Sequence, residues 1–137
     1  MSPSRILLAD DHEEFLREFA AALAKHHEVV GSAHDGEELV RLASTCRPDL
    51  ILADISMPRM NGIVAIQKIT EQPSPPKSIF VSMHASPHYV KHALQIGASG
   101  FVLKLHAFEQ IEEAIQTVLA GEIYLSPQLG IPVPTAD

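Results

Sequence analysis

Four short apolar runs in this chain end abruptly in polar residues, and that recurrence limits the fold more than any other feature. Ile6-Leu7-Leu8-Ala9 ends in Asp10-Asp11, Leu50-Ile51-Leu52-Ala53 in Asp54, Ile79-Phe80-Val81 in Ser82, and Phe101-Val102-Leu103 in Lys104. Runs of this length with no polar alternation fit strands buried on both faces, as in a parallel sheet with helices on either side. If the four strands are parallel neighbours, their terminal residues converge on one sheet edge, where open α/β folds build their sites. Three carboxylates brought together repel one another and invite a divalent cation, while a hydroxyl and an ammonium suit phosphoryl oxygens. The chemistry expected from that set is metal-assisted phosphoryl transfer.

The segments between the runs carry helical spacing. From Glu13 to about Lys25, Phe15, Leu16, Phe19, Ala20 and Leu23 share one face, and acidic Glu13 and Glu14 sit where the helix dipole favours them. Val29 to Ala33 reads as a strand, Asp35-Gly36 as a turn, and Glu37 to Ser44 as a helix before Pro48. Further helices are expected from Gly62 to Glu71, from about Tyr89 to near Gly97, and around Phe108 to Leu119, stopped by Gly121. Five strands alternating with five helices give a doubly wound parallel α/β sheet. Residues 1–121 form the expected domain. Residues 122–137, with Pro127, Pro132 and Pro134 and neither helical nor strand period, read as a short structured stub with a flexible end.

Composition removes several alternatives. At 137 residues with 46% apolar content the chain supports one core and leaves no room for a second domain. Ten basic against seventeen acidic residues give a formal charge of -7, which disfavours direct nucleic-acid binding. Cys46 stands alone, so no internal disulfide forms, and no stretch approaches the length of a membrane span. A soluble cytoplasmic protein is the expectation.

The ordered set resembles the receiver domains of bacterial two-component response regulators over residues 5 to about 121. It comprises the acidic pair, the block Asp54-Ile55-Ser56-Met57-Pro58-Arg59-Met60-Asn61-Gly62, Ser82, and Gly100-Phe101-Val102-Leu103-Lys104. Val81-Ser82-Met83-His84 and Gly121-Glu122-Ile123-Tyr124-Leu125-Ser126-Pro127 look most like regulators whose receiver precedes a LuxR-type (NarL/FixJ) helix-turn-helix domain. The resemblance implies a flavodoxin-like sheet of strand order 2-1-3-4-5. It makes Asp54 the phosphoacceptor from a histidine kinase, with Mg2+ held by Asp11, Asp54 and the Ser56 backbone carbonyl, and by Asp10 through water. Lys104 and Ser82 would contact the phosphoryl oxygens, and Phe101 would turn from solvent toward the space left by Ser82. Phe101 has no hydroxyl, and Leu105-His106 follows Lys104 where proline or a small polar residue is commoner. Ser56 and His84 match positions flanking the path of the hydrolytic water.

The implied role is a phosphorylation-activated switch that forms a homodimer and regulates transcription through a further DNA-binding domain, and not an enzyme acting on an external substrate. Two other classes remain: a receiver used as a phosphorylation-independent interaction module, and a magnesium-dependent phosphatase, which would need a substrate cap that this chain has no insertion to supply. His84, His88 and His92 form a weaker metal candidate at helical spacing.

Overall fold

The computed structural model describes residues 3–84 and 86–134. Six parallel strands form one sheet in the order β2-β1-β3-β4-β5-β6. They are β1 (Arg5–Ala9), β2 (Glu28–Ala33), β3 (Leu50–Ala53), β4 (Lys77–Ser82), β5 (Gly100–Leu103) and β6 (Tyr124–Leu125). The helices are α1 (Glu13–Leu23), α2 (Gly36–Cys46), α3 (Gly62–Thr70), α4 (Pro87–Gln95) and α5 (Ala107–Leu119).

Strand residues alternate between two separate cores, which explains why the strands show no polar alternation. Leu7, Ala9, Ile51, Ala53, Phe80 and Phe101 face α2, α3 and α4, packing on Leu39, Ile66, Ile69, Val90 and Ala93. Ile6, Leu8, Leu50, Leu52, Ile79, Val81 and Val102 face α1 and α5, packing on Leu16, Phe19, Leu23, Ile111, Ile115 and Val118. Burying each such Leu or Ile contributes roughly 1.5–3 kcal/mol.

The strand order 2-1-3-4-5 holds, and the sheet carries one strand more than expected. The extra strand comes from the segment expected to be a short structured stub without strand period: Tyr124 and Leu125 pair in parallel with Gly100 and Phe101. The Tyr124 N–H donates to the Ser99 carbonyl at 3.0 Å, and the Ser126 N–H to that of Phe101 at 3.0 Å. Ser126, almost fully buried, accepts the Leu103 N–H on Oγ at 2.9 Å and donates to Gln110 Oε1 of α5 at 2.5 Å. A boundary at Gly121 therefore cuts the sheet between β5 and β6. The end of the expected stub, residues 135–137, lies outside the described residues. Helix ends shift slightly. α1 stops at Leu23 because His26 and His27 turn back to its carbonyl, α2 runs to Cys46, and α4 begins at Pro87, whose fixed φ suits a first helical turn.

Candidate functional site

Register brings the four polar strand ends to one edge. Ala9 lies opposite Ala53, Phe80 opposite both Ala53 and Phe101, and Ser82 opposite Leu103. The ladder continues through the acids, with the Asp10 N–H donating to Ala33 at 3.0 Å and the Asp54 N–H to Ala9 at 2.9 Å. Asp10 and Asp54 are thus fixed by backbone bonds before any side chain is considered. Both are buried, at 3% and 4% exposure, whereas Asp11 points outward.

Lys104 is the counter-ion of this cluster. Its Nζ lies 2.7 Å from Asp10 Oδ2, 3.4 Å from Asp54 Oδ2 and 3.2 Å from His12 Nδ1, and 4.6 Å above the Phe15 ring. Each buried carboxylate turns its other oxygen to the backbone: Asp54 Oδ1 accepts from Ile55 N at 2.7 Å, and Asp10 Oδ1 from His12 N at 2.8 Å. Burial pushes the Asp54 carboxyl above the usual carboxylate range, Lys104 pulls it back, and the Asp10 charge adds to the push. One ammonium facing three carboxylates leaves net negative charge, and a divalent ion relieves it. Ligating atoms of Asp10, Asp11, His12 and Asp54 lie within 4.8 Å of one another, so the three carboxylates present an oxygen donor set that fits Mg2+, with the His12 imidazole beside it.

Ser82 is fully buried, and its Oγ accepts the His84 N–H at 3.1 Å, which leaves the hydroxyl proton able to swing to a new acceptor. Ser56 Oγ and His84 Nε2 are 3.0 Å apart, with His84 against the Tyr89 ring at 5.0 Å between centroids. Phe101 is fully buried, 6.4 Å from the Phe80 ring, so its side chain occupies the inward position here. Lys104–His106 form a single 3-10 turn that leaves Leu105 exposed. Among the described residues, His84, His88 and His92 do not come together as a group that could hold a metal ion.

Three contributors were absent from the sequence reading. His12 reaches Lys104 across 92 residues, and only its adjacency to Asp11 hinted at this. Phe15 has the spacing of a core residue, yet its ring carries the lysine. The loop after Asp54 is strapped to the start of α2: buried Asp35 accepts the Glu38 N–H at 2.8 Å and Arg59 Nη1 at 3.0 Å. A Cβ on Gly36 would overlap the Met60 carbonyl.

Residues 6–116 match the family described as response regulator receiver domain. Among curated proteins, the chain is 35% identical over 127 residues to the transcriptional regulatory protein DegU of Brevibacillus brevis, covering 91% of this chain and 54% of that protein. It is 37% identical over 130 residues to the nitrate/nitrite response regulator NarL of Escherichia coli (strain K12), covering 93% and 60%. The chain thus spans between half and two thirds of these relatives. Among solved structures, a LuxR-family two-component response regulator from Aurantimonas superposes with TM-score 0.89 at 29% identity, covering 94% of each chain. The receiver domain of a NarL regulator from Mycobacterium tuberculosis gives 0.83 at 31%, covering 89% of this chain and 100% of that one. No helix among the described residues is long and apolar enough to cross a membrane.

Proposed function

The chain belongs to the response regulator receiver domain family, and from that membership we propose that it is a switch operated by phosphorylation of Asp54. The observation that carries the reading is the buried Asp54 carboxylate facing Lys104 Nζ at 3.4 Å beside Asp10 and Asp11. In the proposed step a carboxylate oxygen of Asp54 forms a bond to the phosphorus of a kinase's phosphohistidine. The P–N bond breaks, and its electron pair returns to the imidazole. Such transfers demand little covalent activation and depend on positioning and charge neutralisation. Backbone bonds to Ile55 and Ala9 hold the nucleophile still, and Lys104 places a positive charge beside the incoming oxygens. A Mg2+ held by Asp11, Asp54 and the Ser56 carbonyl, and by Asp10 through water, would supply the remaining neutralisation.

Once the phosphoryl group is present, the Ser82 hydroxyl is placed to donate to it, and a charge-assisted bond of that kind contributes about 1.5–3 kcal/mol. That suffices to bias a two-state element by one to two orders of magnitude. Phe101 lies in β5, which runs directly into Lys104, and packs toward α4, which makes it the route from site to surface. The partners belonging to this reading are a sensor histidine kinase and a second copy of the chain. In relatives longer than this chain, a further domain would carry the contact with DNA, and the whole would act in the cytoplasm.

Intact-mass measurement after incubation with an acyl phosphate or phosphoramidate, with and without Mg2+, tests the proposal. One acid- and base-labile phosphoryl group is expected with the ion and none in chelator. Asp11→Ala is expected to lose Mg2+ binding and labelling together, and normal labelling of that variant in chelator would refute the metal assignment. Ser82→Ala is expected to accept the label but to show a smaller change in NMR shifts around Phe101. A full response from that variant would reduce Ser82 to a strand-end hydroxyl.

A further inference from the structure

His12 stands at the head of α1, where a polar side chain ordinarily caps the helix, yet it makes no side-chain cap bond. Its ring turns into the acidic cluster instead. Nδ1 lies 3.1 Å from Asp10 Oδ1 and 3.4 Å from Asp11 Oδ1. The backbone of His12 is itself anchored there, its N–H donating to Asp10 Oδ1 at 2.8 Å. Nδ1 therefore counts among the ligating atoms that lie within 4.8 Å of one another. The side chain is 67% exposed, so a modest ring movement meets little packing resistance.

We propose that His12 supplies a nitrogen ligand to the carboxylate site and shifts its preference away from Mg2+ toward divalent first-row transition ions, for which Mn2+ serves as the spectroscopic probe. The proposal rests on the reading above of Asp11 and Asp54 as metal ligands, and adds a donor of a different kind. Mg2+ is a hard ion that takes oxygen and keeps its waters, whereas imidazole suits Fe, Ni, Cu and Zn ions; Mn2+ stands at the weak end of that series, favouring oxygen yet taking an imidazole nitrogen more readily than Mg2+ does. Either imidazole nitrogen can serve as a ligand, and Nδ1 is the one held against the carboxylates. Lys104 Nζ, 3.2 Å from the same nitrogen, is the cation the cluster now holds, and a divalent ion bound there would compete with it for that nitrogen.

The test uses the whole chain and Mn2+ itself. Electron spin-echo modulation of the bound ion is expected to contain coupling to a 14N nucleus, and His12→Asn and His12→Gln are both expected to abolish it. Titration followed by the free Mn2+ resonance, with Mg2+ as competitor, is expected to show both variants losing several-fold more affinity for Mn2+ than for Mg2+. Bound Mn2+ without nitrogen coupling in the unaltered chain, or an equal loss for both ions in the variants, overturns the role of His12 while leaving the carboxylate site standing. Failure of the unaltered chain to bind either ion overturns both readings. Circular dichroism of each variant separates ligand loss from misfolding.

Discussion

Asp54→Asn is expected to take up no phosphoryl group from a small donor under conditions in which the unaltered chain is labelled, because an amide offers no anionic nucleophile. Labelling of the variant at the unaltered rate would move the acceptor elsewhere. The same substitution has an opposite effect on stability. The Asp54 carboxyl is raised above its ordinary 3.8, chiefly by burial. The ionised group therefore weakens the fold: the contribution of Asp54 to stability is greatest below 3.8 and falls as pH rises through the raised value. Asparagine removes that loss, and Lys104 keeps Asp10 at 2.7 Å as its partner. In chelator at neutral pH the variant is expected to melt above the unaltered chain, with the difference shrinking as pH falls toward 3.8. A difference independent of pH would place the gain in packing rather than in charge.

Gly62→Ala is expected to damage both fold and site. A Cβ at position 62 would overlap the Asp54 carbonyl oxygen, with the Asp54 carbonyl carbon and Ile55 Cα 3.0 and 3.1 Å away. The obstacle is backbone, which cannot rotate aside, and the Gly62 N–H is already bonded to the Ile55 carbonyl at 2.7 Å. The chain from Asp54 to Ile55 must move, at a cost of about 1–3 kcal/mol for forced overpacking. A displacement near 1 Å at a reacting group lowers a rate by about a hundredfold. Denaturant titration and labelling kinetics on one sample read both effects. Unchanged stability with unchanged labelling would mean that the loop after Asp54 tolerates the shift.

The polar strand ends were legible because a strand buried on both faces has no alternation to obscure the point at which it stops. Asp54 and Lys104 announced themselves by interrupting Leu-Ile-Leu-Ala and Phe-Val-Leu. Their convergence was inferable from parallel pairing, while the order of the strands rested on the family resemblance. The strand β6 was hidden for a physical reason: two residues cannot display a period, and its pairing depends on Gly121, at φ 90°, turning the chain back along β5. His12 and Phe15 were hidden because their partner Lys104 lies about ninety residues away and closes on them only when β5 and α1 share one core. The strap between Asp35 and Arg59 likewise joins two loops that look separate in the sequence, and Arg59 adopts a left-handed φ of 68° to make it.

The short strand β6 also closes one edge of the sheet. Without it, β5 would be the outer strand, and its hydrogen-bonding groups from Ser99 to Leu103 would stand ready to accept a strand from another molecule. Tyr124, Leu125 and the Ser126 hydroxyl occupy those groups, and Pro127 follows at once, a residue with no N–H to extend the ladder. The selvedge is two residues long and ends in a ring that refuses pairing. A fragment trimmed at Gly121 would retain every residue of the proposed site and expose the hydrogen-bonding edge of β5.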